Sequence, residues 1–274
     1  MTQLIAVDTP ATISATFYAA GADTGADDGT VTVAVMRADG SAVTGVGAVT
    51  SAGDGVYTVT LPAQADLDVL TATWTGATTK VRTTHEIVGR QLVELAEIRA
   101  QTNLSSASYT NTMLEDARAW FLDTVDDFCG FSPIPRYAYE TASGDGTSTV
   151  RITNRAYVRA IRSVAVDGEE VGDLTGWDLD NGLLSGTTFP YGRNNVAVGY
   201  EYGLDHPPAD LKRAALTAIR YRLLTDVNSQ LPDRAMSISN EYGNIQMAQP
   251  NRKGPTGIPE VDAVLMRYRL VTVG

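Results

Sequence analysis

Between residues 4 and 88, apolar side chains alternate with threonine and other polar residues at period two. Examples are Thr12-Ile13-Ser14-Ala15-Thr16-Phe17, Thr30-Val31-Thr32-Val33-Ala34-Val35, Val56-Tyr57-Thr58-Val59-Thr60-Leu61 and Leu70-Thr71-Ala72-Thr73-Trp74. Such alternation sends one set of side chains to a buried face and the other to water, so each run predicts a half-buried strand. Turn chemistry separates the runs at 21–29, Asp39-Gly40, Gly53-Asp54-Gly55 and Gly76. With further runs at 4–7, 42–49 and 80–87, about seven short strands fall in under ninety residues. That density is the expectation for an all-β, immunoglobulin-like sandwich over 1–88.

After Gly89 the period changes to that of a helix. Leu92, Leu95, Ala96 and Ile98 predict a helix over about 91–102. A second, over 112–129, is expected to open on a capping box of Thr112 and Glu115 and to stop at Gly130. Its core side is Met113, Ala117, Trp120 or Phe121, Leu122, Val125 and Phe128, and its polar side is acidic with Arg118. A β region over 136–202 turns at Gly144-Asp145-Gly146, Asp167-Gly168 and Asn181-Gly182. Pro207-Pro208 opens a helix over about 208–226, in which Leu211, Ala214, Ala215, Ala218, Ile219 and Leu223 share one face. A hairpin over 236–247 and a last helix over 259–270, with Val261, Val264, Leu265 and Tyr268 on one side, complete the order. The expected class is α+β multidomain, a sandwich over 1–88 followed by a mainly helical domain with a β insertion over 89–274.

A chain of 274 residues suits two domains. A net charge of −11 opposes any surface that grips nucleic acid, since such binding rests on cations displacing counterions. No apolar run is long enough to span a membrane. One cysteine and two histidines build neither an intramolecular disulfide nor a soft-ligand metal site. Neither a metal nor a cofactor is expected, and Cys129 reads as a buried apolar side chain. The first 88 residues set eight aspartates against Arg37, Lys80 and Arg82, an acidic shell that keeps the sandwich soluble. A weaker alternative is a calcium loop at Asp23, Asp27 and Asp28, whose spacing is irregular.

Several phrases then follow one another along the chain. They are Leu95-Ala96-Glu97-Ile98-Arg99, Phe128-Cys129-Gly130-Phe131, Pro135-Arg136 leading into Asp145-Gly146, and the Val166-Asp167-Gly168 turn. Next come Asn181-Gly182-Leu183-Leu184 and the run from Val196 through Pro207-Pro208 into Asp210-Leu211-Lys212-Arg213. The last is Thr256-Gly257-Ile258-Pro259-Glu260-Val261. In these phrases the chain from Leu92 onward resembles the head-to-tail adaptor, or connector, proteins of long-tailed bacteriophages, especially those of actinobacterial hosts. The first 88 residues lie outside the resemblance, as an added domain.

The resemblance implies a structural protein of the virion neck, made in the host cytoplasm. It forms a twelve-fold ring with copies of itself, between the portal protein and the next neck or tail protein. Double-stranded DNA passes through such a ring unrecognised, past acidic walls that repel phosphate out to about 8 Å. The segment 248–274 is the expected portal-docking piece, through Arg252, Lys253, Ile258, Pro259, Val261, Leu265, Arg267, Tyr268 and Arg269. Leu211, Ala214, Ala215, Ala218 and Tyr242 are the expected subunit contacts, and Glu241 and Asn244 the channel lining.

Two other classes stay open. One is another neck or tail protein: a stopper, a terminator or a decoration. The other is a carbohydrate hydrolase, with Asp178 and Asp180 or Glu201 and Asp205 as acid and base, His206 as a further base, and Tyr200, Tyr202 or Trp177 stacking on a sugar. Spacing alone does not set two carboxyls at a working distance, so the expectation is no catalytic residue.

Overall fold

The structure, a computed structural model, describes residues 2–18, 25, 28–101, 104, 108–152, 155–227, 237–240, 243–246 and 254–270. The chain divides into two compact units, Met1–Gln91 with Ile134–Asp205, and Leu92–Pro133 with His206–Gly274.

In the first unit the strands β1 (Gln3–Ala6), β2 (Ala11–Thr16), β3 (Thr32–Met36), β4 (Thr50–Gly53), β5 (Val56–Leu61), β6 (Asp68–Thr75) and β7 (Lys80–Val88) form two sheets. Their orders are β1-β7-β6-β3 and β2-β5-β4. All pairings are antiparallel except β1 with β7, which runs parallel from Gln3 opposite His85 to Ala6 opposite Val88. Alternate residues of both sheets face inward, and Ile13, Phe17, Tyr57, Leu70, Trp74 and Ile87 fill the core. The two sheets enclose one core, so this part of the chain is a β-rich sandwich. One strand differs: 42–49 does not form it, leaving a single bridge of Ala42 to Met36 before β4. Gly45, at φ 75°, breaks the run that the alternation predicted.

The β region is a second layered body. Strands β8 (Arg136–Ala142), β9 (Thr149–Arg151), β10 (Val158–Val166), β11 (Glu169–Glu170), β12 (Asp178–Asp180), β13 (Leu183–Ser185) and β14 (Val196–Tyr202) pair in the orders β11-β10-β14-β8 and β12-β13-β9. Val164, Leu184, Phe189, Val198 and Tyr200 are buried between them. The hairpin turns fall where the dipeptides predicted, with Asp167 and Asn181 at φ 54° and 49°, each followed by a glycine at positive φ.

By its packing this β region belongs with the sandwich, a grouping different from the boundary expected at 88/89. Strand β8 packs beside β6 and β7, and its Arg136 is tied to the sandwich. Its guanidinium donates Nε to Glu86 Oε1 and Nη2 to Glu86 Oε2, both at 2.6 Å, while the Glu86 side chain is 5% exposed. A two-bonded arginine–carboxylate pair taken out of water holds its partners in one geometry. Separating them strands a buried charge, at about 3–5 kcal/mol.

The second unit is helical: α1 (Leu95–Arg99), α2 (Asn111–Cys129), α3 (Ala209–Val227) and α4 (Pro259–Tyr268). The first helix is half its expected length, with Leu92 and Val93 buried ahead of it. Helix α2 begins on Thr110, not on Thr112: the Thr110 hydroxyl accepts from Met113 N at 3.3 Å. Gly130 ends it in the left-handed conformation, donating to Asp126 O at 3.0 Å. Arg118, expected on the polar side, is 7% exposed and reaches Val93 O at 3.4 Å. The buried side includes Ala117, Phe121, Leu122 and Val125 as expected, with Leu114, Ala119 and Cys129 in place of Met113 and Phe128. A two-stranded hairpin, β15 (Ser237–Asn240) with β16 (Gly243–Gln246), lies between α3 and α4 in sequence, as predicted.

Candidate functional site

Helix α4 is bound to its own chain at both ends. At its start Asp262, 1% exposed, accepts Thr256 N and Thr256 Oγ1 on one carboxylate oxygen, at 2.9 and 2.7 Å. This winds 254–258 around the first turn, and the Thr256 hydroxyl takes Ile258 N at 3.2 Å. At its end Asp210, in the first turn of α3, accepts Arg267 Nη1 at 2.9 Å and the Tyr268 hydroxyl at 2.7 Å. The Tyr268 hydroxyl, followed by Leu211 N and Arg267, holds the Asp210 carboxyl below its usual range. The same bond pushes the Tyr268 phenol up. Beyond the helix, Leu270 N donates to Cys129 O at 2.9 Å, and the Arg269 guanidinium lies 5.2 Å from the centre of the Phe128 ring.

These contacts reassign several expected docking residues. Val261 and Leu265 are 1% and 0% exposed in the core of the helical unit, so they are unavailable to an outside partner. Arg267 and Tyr268 are engaged by Asp210, whereas Ile258, Pro259 and Arg269 lie at or near the surface. Arg252 and Lys253 fall outside the described residues. The expected subunit contacts Leu211, Ala214, Ala215 and Ala218 are all buried, at 5% exposure or less. Their small side chains let α3 approach helices of its own unit instead. Tyr242 and Glu241 lie outside the described residues, and Asn244 is placed on β16 in backbone.

The expectation missed the outward side of α4. Pro259, Ala263 and Met266 recur there at helical spacing, all exposed, Met266 by 50%, and Leu270, 36% exposed, lies beyond the end of the helix. The spacing was legible as a second apolar row beside Val261 and Leu265.

Neither proposed acid–base pair is poised for catalysis. Arg159 bridges Glu201 and Asp205, with Nη1 to Glu201 Oε2 at 2.9 Å and Nη2 to Asp205 Oδ1 at 2.5 Å. Arg162 binds the other Glu201 oxygen and reaches Asp66 Oδ1 at 3.2 Å. Burial works against the Arg162 charge, yet the hydrogen bond and charge of Glu201, with Asp66, hold its pKa above the usual value. These groups border a cleft of about 370 Å³ with Val7, Leu67 and Pro135, and both Glu201 oxygens are taken up by arginines. Asp178 and Asp180 are exposed on the outer side of β12, either side of inward Leu179. His206 is exposed. Tyr200 and Tyr202 are buried in the β region and Trp177 packs edge-on to Phe189 at 5.8 Å, so all three serve packing.

Cys129 is fully buried, its thiol directed at Leu265 O at 3.4 Å, and burial pushes its pKa up to about 11. Asp28, offered as a calcium ligand, accepts the Thr78 and Thr79 hydroxyls at 2.7 and 2.8 Å and both their N–H groups, bracing the β6–β7 turn. Asp23 and Asp27 lie outside the described residues, among which no cluster suited to a metal ion occurs. Among the same residues no helix is long and apolar enough to cross a membrane.

A sandwich joined to a small β body, with a separate helical bundle, is the class the geometry defines. No family model matches the chain, and no curated protein matches it. Among solved structures it is similar to a chain of the neck of an empty gene transfer agent particle, at 15% identity over 67% of this chain and 92% of that one, TM-score 0.45. A chain of the neck of the native particle, computed with C12 symmetry, matches at 14% identity over 69% and 97%, TM-score 0.39. The N-terminal Ig1-2 module of the Drosophila receptor protein tyrosine phosphatase DLAR matches at 10% identity over 73% and 90%, TM-score 0.23. At these scores the likenesses fix neither the fold nor the function of the chain.

Proposed function

We propose that the chain is a structural neck protein of a long-tailed phage or phage-like particle, an adaptor subunit between the portal and the next neck or tail protein. The observation that carries this reading is the build of the second unit. Two separated stretches, 92–133 and 206–274, fold together as one bundle with a β region inserted between them. That is the architecture implied by the ordered phrases, and the phrases fall at its joints: the end of α2 at Gly130, the entry to β8 and the entry to α3. The Glu201–Asp205 pair is bound to arginines and Asp178 and Asp180 are exposed on β12, which supports a structural rather than a catalytic role.

In this reading twelve copies form a ring, and an acidic wall lets double-stranded DNA slide through without recognition. Glu241 and Asn244 of the hairpin region line the channel. Docking on the portal falls to the basic Arg252 and Lys253 with Ile258 and Pro259, since Val261 and Leu265 hold the bundle together. Particles labelled with antibody against the sandwich test the placement. Label at the head–tail junction is expected; label along the tail or on the capsid, or none on purified particles, refutes it.

A further inference from the structure

The first 88 residues hold three cations, and one of them, Arg37, is paired with Asp68. The other two share one face. In β6, Ala72 and Trp74 turn inward at 0% exposure, so alternation turns Thr71, Thr73 and Thr75 outward. Strand pairing then sets three rows across the sheet: Lys80-Thr75-Thr32, Arg82-Thr73-Ala34 and Thr84-Thr71-Met36. Those rows contain no carboxylate, and Lys80 and Arg82 are exposed with no carboxylate partner among the described residues. Asp28, at the neighbouring turn, gives its two oxygens to Thr78 and Thr79. The converse face lies on the sheet β12-β13-β9. Leu179, Leu184 and Val150 turn inward there, which leaves the rows Asp180-Leu183-Arg151 and Asp178-Ser185-Thr149 outward. Asp178 and Asp180 are exposed, and Asp180 accepts the amide of adjacent Asn181 at 2.9 Å.

We infer that the Lys80–Arg82 face of one copy packs on the Asp178–Asp180 face of the next copy. This rests on the ring reading above and names one of its subunit contacts. The two faces match in spacing as well as in sign. Among the described strands, β7 alone carries two exposed cations two residues apart, and β12 alone carries two exposed carboxylates so placed. Both pairs stand about 6.8 Å apart along a strand, so both charges of one meet both of the other in a single register. With β12 laid over β7, β13 falls over β6 and β9 over β3. Leu183, 40% exposed, then meets the threonine methyls of β6. Arg151, the one cation of the acidic face, comes over β3, which carries no charge. The faces are different surfaces of one copy, so the contact runs head to tail, as closure into a ring requires. Three short strands cover less than the roughly 1,200 Å² of a stable pair, and a closed ring sustains the contact because every copy makes it twice.

Charge reversal in the full chain tests the contact, read by native mass spectrometry at low salt. Lys80→Glu with Arg82→Glu, and separately Asp178→Lys with Asp180→Lys, turn the oligomer into monomer with an unchanged melting curve. The chain with all four changes regains the oligomer, because both faces have reversed together. Mixing the two double variants restores it as well, in alternating order. Salt at about 1 M, which screens charges beyond about 3 Å, dissociates the native oligomer. A native chain that stays monomeric when concentrated overturns the contact, and so does failure of both the fourfold variant and the mixture to reassociate. An oligomer that neither reversal disturbs overturns it too, and leaves the aspartates as a shield for the β12 edge. Rings in particle necks that survive both reversals would sink this contact and leave the adaptor reading standing. Rescue by the fourfold variant, in a chain missing from particle necks, would support the contact and sink that reading.

Discussion

At the scale of single residues the chain uses buried polar groups as fixed connectors, and His85 is one with a pH signature on the acid side. It is 4% exposed, and burial pushes its imidazole down to about 4. Trp74 Nε1 donates to Thr83 Oγ1 at 3.1 Å, and the His85 ring contacts Thr83 Oγ1 at 2.8 Å and Gln3 Oε1 at 3.1 Å. One direction satisfies every group: Trp74 donates to Thr83, Thr83 to Nε2, and Nδ1 to Gln3. Protonating Nε2 reverses the middle link. Because the folded-state pKa lies below the ordinary 6.5, the unfolded chain binds the extra proton first as pH falls. Stability is therefore lost between pH 6.5 and 4, by on the order of 3 kcal/mol at about 1.4 kcal/mol per unit. Urea unfolding across that window shows the slope in the native chain, and His85→Gln flattens it; equal slopes would show that another group carries the dependence. Residue roles of this kind were poorly legible beforehand. Cys129 was read correctly because a lone cysteine at a helix end has few options, but the partners of Asp28, Asp210 and Arg118 come from distant segments that no local pattern reveals.

At the scale of elements the sequence was most informative where periodicity and a stop signal coincide. Helix α2 ends at Gly130 as predicted, since φ of 79° there costs a glycine little and any other residue more. Gly130→Ala is expected to lower stability by about 1 kcal/mol through that strain alone, because the added methyl meets Leu270 only at 3.8 Å. Thr110→Ala costs about 1 kcal/mol through the lost cap, whereas Thr112→Ala is neutral, and thermal melts of the three variants rank them. A destabilised Thr112→Ala would restore the capping box placed there by spacing. Where composition and period conflict, the structure follows the breakers, as at 42–49, where valines alternate but Gly45 and Gly47 interrupt. The row of small residues in α3 was found correctly and given the wrong partner. A face that admits close packing does not say whether the neighbour belongs to the same chain.

At the scale of the whole molecule, a change of sequence grammar at residue 88 marks where strands give way to helices, yet it does not mark where packing divides. Glu86, the one glutamate in the first 88 residues, lies two residues before the end of β7 and binds Arg136, fifty residues on. Asp66 of the β5–β6 loop reaches Arg162 in the same way. Both links join the sandwich to the β region, and no pattern within either segment announces them. A chain beginning at Gly89 would keep every helix but would lose the Glu86 carboxylate together with the β6 and β7 strands that pack beside β8, set against a domain stability of only about 5–15 kcal/mol. The expectation is that this truncation retains the helical signal of α2 to α4 in far-ultraviolet circular dichroism while amide exchange in β8 and β14 rises towards that of an unfolded chain. Glu86→Gln in the full chain should reproduce part of the same loss, and Glu86→Gln with Arg136→Met should recover most of it, because the second change removes the stranded charge. Slow exchange in β8 after the truncation would mean that the β region stands without the sandwich, and that the boundary legible in the sequence is also the boundary of folding.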